Sequence, residues 1–212
     1  MAFWTWLEGL SGGAASFVGS VSGFVFAVVA LLIGASYNFW LNRRRDVQLR
    51  QDEARAIAAA LYGEILLLRR ELGHVAKITS SAHMNEGWDG PGVKFDKHFL
   101  ERMPLSQPTL YNALAPKLGL LDSTLLLSIV EFYSNLSEVR QWLPRLVRDE
   151  ERGYEYSSLV VLDPATSAIY GVKPALRRIE SELGIREIAP DPDIGSARAV
   201  IADENERFGR KE

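Results

Sequence analysis

The chain has 212 residues, with 24 basic and 27 acidic residues, three histidines and no cysteine. The lack of cysteine excludes disulfides and cysteine–zinc sites, and it fits a domain that faces the reducing cytoplasm. All 24 basic residues and 26 of the 27 acidic ones lie beyond residue 42, so that part is close to neutral. It therefore lacks the strongly basic surface that nucleic-acid binding needs, and we expect no nucleic-acid partner.

An uncharged stretch runs from Gly9 to Asn42. A helix needs roughly 20 apolar residues to cross a bilayer, and Phe17–Tyr37 alone would reach about 31 Å at about 1.5 Å per residue. The stretch is too long for a cleaved signal peptide and has no basic residue before it. It is also apolar all round, unlike the core helix of a soluble protein. We predict a retained transmembrane helix over residues 14–42.

Three arginines, Arg43, Arg44 and Arg45, follow the uncharged stretch directly. By the positive-inside rule they keep their end of the span in the cytoplasm, which predicts a single-pass protein with its N-terminus outside. We expect this topological role to be the main one. The same arginines can also attract anionic lipid headgroups, at about 1 kcal/mol per residue near the surface.

Aromatic residues lie at both ends of the predicted span. Tyr37 and Trp40 precede the arginines, at the depth where amphipathic rings prefer the headgroup layer. Trp4 and Trp6 belong to residues 1–13, which we interpret as an interfacial aromatic segment separated from the span by glycines. A frayed N-terminal end is the alternative for these two tryptophans.

Small residues recur along the predicted span at Ser16, Gly19, Ser20, Gly23 and Ala27. Such a stripe lets two helix backbones approach closely in a membrane, so it predicts a helix–helix contact and a homo-oligomer. Serine and glycine are common in membrane helices generally, and a stripe without a partner is the alternative.

Residues 43–80 have the pattern of a juxtamembrane amphipathic helix. Apolar residues recur every three or four positions at Ala54, Ile57, Leu61, Ile65, Leu68, Leu72 and Val75. No proline occurs before Pro91, so we expect the span to continue into this helix. The stripe fits either a coiled-coil stalk between protomers or the first helix of a bundle within one chain.

The rest of the chain divides into three parts. Residues 81–108 are turn-rich and predict an irregular loop. Residues 109–184 predict the remainder of the bundle, with one helix capped by Asp122 or Ser123 and another starting after Asp163 and bending at Pro174. Residues 185–212 predict a weakly ordered polar tail. In the capped helix we expect one apolar face formed by Leu126, Ile129, Val130, Tyr133, Leu136, Leu143 and Leu146. The fold class predicted is all-α.

The chain contains no recognised catalytic motif: it has no phosphate-binding glycine-rich loop, nucleophile elbow, paired-histidine zinc helix or kinase signature. We therefore expect no enzyme, no catalytic residue and no cofactor. The loop does gather His83, Glu86, Asp89, Asp96 and His98, but their spacing matches no metal-ligand framework, and we expect no metal site. We expect exposed helix faces to carry Arg69, Arg70, Arg177 and Arg178.

One resemblance adds to this interpretation. The segment from Leu110 to Leu121, followed by Ile129–Tyr133, resembles a segment of bacterial single-span inner-membrane proteins with a helical cytoplasmic domain. As in those proteins, a leading span and the Leu61–Ile65 stretch precede it. The resemblance covers about residues 20–140, implies a bacterial inner membrane and brings no activity with it.

The sequence thus leaves three classes of function. The first is a membrane-anchored interaction or scaffold module with a protein partner or a homo-oligomeric state. The second is a membrane-perturbing pore or effector, and the third is a membrane-tethered sensor. In each of them the lipid bilayer is a partner.

Overall fold

The computed structural model describes residues 12–86, 92–103, 105–148, 152, 154–185, 190–207 and 209, with side chains from residue 16 onward. Trp4, Trp6 and Asp89 lie outside these residues, as does most of the predicted interfacial segment. The chain divides into two compact units, Met1–Asp52 and Glu53–Glu212.

Every regular element in the described ranges is helical, so the all-α prediction is confirmed. The α-helices are α1 (Gly12–Met84), α2 (Thr109–Leu114), α3 (Ser123–Trp142), α4 (Leu159–Gly171), α5 (Lys173–Leu183) and α6 (Gly195–Arg207). Short 3-10 helices occur at Leu100–Arg102, Ala115–Leu120 and Leu143–Leu146. Helix α1 has 73 residues and contains both the predicted span and the predicted juxtamembrane helix.

The first unit contains the apolar part of α1. The uncharged segment of this helix is long and apolar enough to cross a membrane. No residue in its most apolar 18-residue stretch is buried in the structure. Large side chains such as Phe17, Phe24 and Phe26 are each more than 70% exposed. Monomeric soluble proteins rarely expose a contiguous apolar surface of this size. This helix is therefore a candidate membrane span.

The second unit is a helical bundle with its own core. The stripe of α1 is covered by other helices of the same chain, since Leu61, Ile65, Leu68, Leu72 and Val75 are completely buried. Residues from α3, α4 and α5 complete this core, among them Ile129, Phe132, Leu162, Ile169 and Ile179. The burial favours the bundle interpretation of the stripe over a stalk between protomers.

Five of the seven residues predicted to form the buried face starting in α3 are buried, namely Ile129, Tyr133, Leu136, Leu143 and Leu146, and the face differs from the predicted one at the other two. Leu126 is half-buried and Val130 is 42% exposed, whereas Leu125, Phe132 and Val139 are buried. The segment is so rich in apolar residues that more than one face of the helix has the spacing of a buried face. The face that is buried begins at Leu125 and continues with strict spacings of four and three residues to Leu146.

Asp122 caps the start of α3. It is one of the two residues, Asp122 and Ser123, that the sequence offers for this position. Its carboxylate accepts the backbone N–H of Thr124 at 3.0 Å, and the guanidinium of Arg178 from α5 lies 2.7 Å away. The Thr124 hydroxyl first, and then Arg178, lower the pKa of Asp122 to about 2. The cap thus also joins α3 to α5.

This depressed pKa predicts an acid-dependent contribution to stability. Because the folded-state pKa lies below the usual 3.8, the contribution is present above that pH and disappears as the pH falls toward 2. Asp122→Asn keeps a good capping residue but loses the charge. We expect this variant to unfold at lower urea concentration than the wild type at pH 6, and the gap between the two midpoints to narrow as the pH falls toward 2. Equal midpoints at pH 6 would contradict the role of the charge.

Two helices replace the single bent helix predicted after Asp163. Helix α4 begins earlier, at Leu159, because the apolar residues 159–162 face the core as its first turn. It ends at Gly171, and α5 starts two residues later with Pro174 in its first turn. Proline has no N–H to donate and is favoured at this position, so it separates the helices instead of bending one.

The C-terminal region is also more ordered than predicted. In place of a weakly ordered tail over 185–212, the structure has α6, with Ile194, Ala197 and Val200 buried against the bundle. These three residues form a narrow stripe, three positions apart, within a segment that is mostly polar. Tertiary packing on this stripe stabilises a helix that local composition disfavours.

The predicted loop 81–108 is partly helical and partly packed. Its first residues, including His83, extend α1 to Met84. Further on, Phe95, Phe99 and Met103 enter the core, and the rings of Phe95 and Phe99 meet edge to face at 4.9 Å. These contacts anchor the described part of the segment to the bundle.

Candidate functional site

The small residues of the candidate span form a continuous open face. Gly19 and Gly23 have no described atom within 4 Å of an added Cβ, and Ser16, Ser20 and Ala27 are exposed. Beyond Ala27 the face extends to Ala30 and Gly34, so that small residues occupy positions 16, 20, 23, 27, 30 and 34. Spacings of four and three keep all six on one side of the helix.

The hydroxyl of Ser20 on this face, and that of Ser22 beside the face, already bind the helix itself. Ser20 Oγ donates to the carbonyl of Ser16 at 3.0 Å, and Ser22 Oγ donates to the carbonyl of Gly19 at 3.0 Å. Their hydrogen-bonding capacity is thereby partly used within one helix. A contact at this face depends mainly on close backbone packing, which is what small residues provide in a membrane.

The far end of the apolar stretch brings two predicted interfacial anchors together with one of the three topology arginines. The rings of Tyr37 and Trp40 stack with centroids 6.2 Å apart, and the Arg44 guanidinium lies 3.7 Å from the Trp40 ring centroid. This distance is within the range of a cation–π interaction. Arg43 and Arg45 are exposed and make no ion pair within the described part of the chain. They are free to meet anions from outside.

In the bundle, the structure reveals a buried carboxylate that the sequence reasoning missed. Glu64 on α1 is 8% exposed, and its oxygens accept hydrogen bonds from the backbone N–H groups of Leu110 at 2.7 Å and Tyr111 at 2.9 Å. The Tyr133 hydroxyl donates a third at 2.7 Å. Glu64 therefore holds the first turn of α2 and side chains of α3 against α1.

The two tyrosines beside Glu64 stack on each other, with ring centroids 3.9 Å apart and planes 20° from parallel. Burial, followed by the hydrogen bond to Glu64, raises the pKa of Tyr133 far above its usual 10. Tyr133 thus stays a neutral donor. One signal was available in the sequence: Glu64 lies between Leu61, Ile65 and Leu68, on the face that becomes buried.

A second buried polar group corrects a prediction. Arg69 was expected on an exposed face but is only 3% exposed, whereas Arg70, Arg177 and Arg178 are exposed. Its Nε donates to the carbonyl of Ile169 at 2.9 Å, and Nη2 lies 2.6 Å from Oδ1 of Asp191. The other oxygen of Asp191 pairs with Lys173. Lys173 first, and then Arg69, lower the pKa of Asp191 below its usual value.

Next to Arg69 lies an open cleft of about 480 Å³. Its walls are mostly apolar and are formed by Leu66, Leu67, Arg70, Pro190 and Pro192. Leu67 is 42% exposed, and Arg70 has no ion pair within the described ranges. This concave surface is a candidate contact for a partner; we refer to it as the proline cleft.

Those residues considered as metal ligands that the structure describes do not come together at one point. His98 pairs locally with Glu101 at 3.1 Å, and Asp96 accepts the backbone N–H of His98. His83 lies elsewhere, 3.0 Å from Ser158 Oγ through Nδ1. Within the described residues no group of three histidine or acidic side chains is placed to hold a metal ion.

These sites can form contacts through close packing and through charge. The span offers a small-residue face and a cationic aromatic end, and the bundle offers an apolar cleft beside an unpaired arginine. The resemblance to bacterial single-span proteins stays a prediction. In comparisons with known proteins, no family model, no curated protein and no solved structure matches the chain.

Proposed function

We propose that this protein is a single-pass membrane anchor carrying a cytoplasmic helical interaction module, which self-associates through the span and binds a protein partner through the bundle. One observation carries the proposal: an entirely exposed apolar helix with a continuous small-residue face accompanies a bundle that has its own core. The setting proposed is a bacterial inner membrane, as the resemblance implies.

The orientation proposed is N-terminus outside and bundle inside. Its support is the charge distribution, because no basic residue precedes the span and Arg43, Arg44 and Arg45 follow it. The chain has no cysteine, so single introduced cysteines are unique labels. In intact cells a membrane-impermeant maleimide is expected to label Thr5→Cys and to leave the exposed Ser134→Cys unlabelled until the cells are lysed. The reverse pattern contradicts the orientation.

Self-association through the small-residue face gives a direct prediction. Gly23→Ile places a branched side chain where a second backbone must approach, and we expect it to weaken dimerisation in micelles or in a membrane reporter assay by about tenfold. Ser36→Ile adds comparable bulk on the opposite side of the helix and serves as the matched control. If the two substitutions weaken dimerisation equally, or if neither weakens it, this face is not the contact.

For the protein partner we propose a segment that inserts an apolar side chain into the proline cleft and offers a carboxylate to Arg70. The support is the apolar lining of the cleft beside a cation that lacks an ion pair in the described part of the chain. Ligand pockets are commonly apolar clefts with a few polar groups. The other two charged residues that line this cleft, Arg69 and Asp191, pair with each other.

The experiment is photo-crosslinking in cells from an unnatural benzophenone residue at Leu67, with the exposed Glu131 on α3 as the control position. A discrete adduct is expected from Leu67 alone, and Arg70→Glu is expected to abolish it by charge repulsion. Adducts that are identical from both positions, or that persist with Arg70→Glu, argue against the cleft.

The small-residue face also favours a second candidate, a membrane-perturbing effector whose oligomerised spans breach the bilayer. Under this alternative, expression is expected to lower the membrane potential and to stop growth, and Gly23→Ile is expected to restore both. Unchanged potential and growth on wild-type expression exclude it.

A further inference from the structure

Three arginines follow the candidate span, and one of them is placed differently from its neighbours. The guanidinium of Arg44 lies 3.7 Å from the ring centroid of Trp40, one turn earlier in α1. Trp40 in turn stacks on Tyr37, with ring centroids 6.2 Å apart. Within the described ranges, Arg43 and Arg45 have no such contact with an aromatic ring.

The spacing of the residues along the helix explains this difference. Residues four positions apart are neighbours on one face of a helix, and long side chains lean toward the N-terminal turn, so Arg44 lies over Trp40. Arg43 has Phe39 at the same spacing, a ring that attracts cations less strongly than an indole. Arg45 has an aliphatic residue there. The three arginines are therefore not equivalent.

Stacking on the indole leaves the hydrogen-bonding edge of the Arg44 guanidinium open. The group is planar and carries five N–H donors in its own plane, so a ring that covers its face uses none of them. Arg44 is exposed, and no carboxylate or carbonyl of the described residues accepts a hydrogen bond from it. Its donors are thus oriented by Trp40 and still unused. Such an edge suits bidentate contact with the oxygens of a phosphate.

The acidic residues nearby also distinguish Arg44 from the other two arginines. Asp46 lies three residues after Arg43, on the same side of the helix. Arg45 lines an open groove along α1 together with Asp46 and Asp52. These carboxylates lower the positive potential on their own sides. Arg44 has no acidic residue three or four positions away, so an anion meets the least opposing charge there.

The depth of Trp40 along the candidate span matches the layer that holds lipid headgroups. The hydrocarbon core is about 30 Å thick and the whole bilayer about 40–45 Å, which leaves roughly 5–8 Å for each headgroup layer. Residues 17–37 cover about 31 Å of helix, and Trp40 lies about 4.5 Å further along. Indole rings favour this layer. The guanidinium stacked on Trp40 therefore lies at the level of the lipid phosphates.

We propose that Arg44, stacked on Trp40, binds the phosphate group of an anionic phospholipid at this end of the span. The guanidinium edge donates two N–H groups to the phosphate oxygens. A zwitterionic headgroup carries an ammonium that offsets the attraction, so the site favours a lipid with a net negative charge. This inference rests on the membrane anchor of the proposed function. It adds a lipid partner at one defined residue, in place of a diffuse attraction by all three arginines.

The test is photo-crosslinking of the full chain in phosphatidylcholine vesicles that contain traces of a photoactivatable lipid, either phosphatidylglycerol or phosphatidylcholine, with the reactive group next to the phosphate. Adducts at residues 37–48 are expected to form with about fivefold higher yield from phosphatidylglycerol. Arg44→Lys keeps the charge but loses the planar fork, and is expected to lower this ratio to about twofold. Trp40→Leu keeps all three arginines and is expected to have the same effect. Arg43→Lys is the matched control and keeps the wild-type ratio.

Equal adduct yields from the two lipids in the wild type overturn the site. An equal loss in Arg43→Lys and Arg44→Lys also overturns it, because the preference then belongs to the charge of the whole cluster. An excess of inorganic phosphate, compared with sodium chloride at the same ionic strength, is expected to leave the ratio unchanged. If phosphate abolishes the ratio, the ligand is a soluble phosphate and the lipid assignment is wrong.

Flotation of the same vesicles distinguishes failure of the site from failure of the membrane anchor. Chains that do not float with the vesicles contradict the anchor, and the lipid site with it. Chains that float but show no preference between the two lipids contradict the site alone and leave the anchor supported.

Discussion

Replacement of Glu64 by alanine is expected to lower the free energy of unfolding by about 3 kcal/mol, because buried donors left without an acceptor cost about 1–3 kcal/mol each. Four donors lose their acceptor at once: the N–H groups of Leu110 and Tyr111, the hydroxyl of Tyr133 and, at 3.5 Å, the hydroxyl of Thr109. The two backbone groups lie nearer the surface, where water can replace part of the loss. The measurement is urea unfolding of the full chain in nonionic micelles, followed by circular dichroism.

Two further variants show whether the carboxylate acts as a common acceptor. Glu64→Gln keeps one oxygen but turns an amide group toward donors, so it is expected to lose at least half as much stability as Glu64→Ala. Tyr133→Phe removes a single donor and is expected to cost about 1 kcal/mol. If Glu64→Ala costs no more than Tyr133→Phe, the carboxylate does not organise the contact between α1 and α2.

The parts of the fold that the sequence predicts well are those with a long local signal. Leu61, Ile65, Leu68 and Leu72 follow one face of a helix over several turns, and all four are buried. The long uncharged apolar stretch likewise predicts a helix, and the structure has an exposed helix there that is long enough to be a candidate span. Both patterns extend over so many residues that a single tertiary contact cannot change the helical conformation that they predict.

Helix α6 and the break between α4 and α5 depend on packing that no local pattern shows. The buried positions of α6 are few and mostly small, so its sequence resembles a polar tail. At the break, Pro174 fits a bend as well as a new first turn, and the difference lies in where neighbouring helices cover the chain.

The polar sites were hidden for a related reason. Arg69 bonds a carbonyl 100 residues away and a carboxylate 122 residues away. Glu64 bonds groups 46 to 69 residues away. A charged residue within an amphipathic helix is by default assigned to the solvent side. The tertiary hydrogen-bond partners offset the cost of burying these two charged side chains. The sequence around each residue does not show which partners it will have.

These buried groups also direct attention to the surfaces that remain for function. Glu64 and Arg69 are satisfied by partners within the bundle, which is the arrangement of structural groups and not of reactive ones. Among the described residues, the features without such partners include the small-residue face of the span and Arg70 beside the proline cleft. They suit helix contact and partner contact.

Arg69→Met is expected to destabilise the bundle by about 2–3 kcal/mol, since hydrogen bonds to charged groups contribute about 1.5–3 kcal/mol each. The methionine fills the space of the buried stem but leaves the carbonyl of Ile169 without its donor. That carbonyl lies in the last turn of α4, where the helix supplies no partner of its own. Asp191 contributes less to the loss, because its side chain is 40% exposed and it keeps Lys173.

The matched control for this variant is Arg70→Met, which changes the adjacent, exposed arginine and is expected to be close to neutral. Arg69→Lys keeps the charge but cannot bond the carbonyl and the carboxylate together, so about half of the loss is expected to remain. Equal unfolding midpoints for Arg69→Met and Arg70→Met would show that the buried guanidinium does not join α1 to α4.

The pH dependence of the Arg69→Met effect separates its two parts. Lys173 and Arg69 depress the pKa of Asp191 below its usual 3.8, so their pairing with Asp191 contributes above that pH and is lost as the pH falls through the depressed value. The bond to the Ile169 carbonyl does not titrate. We therefore expect the difference in unfolding free energy between wild type and Arg69→Met to shrink below about pH 4 but to keep most of its size. A difference that vanishes in acid would assign the whole effect to Asp191, and the role of Arg69 at the end of α4 would be wrong.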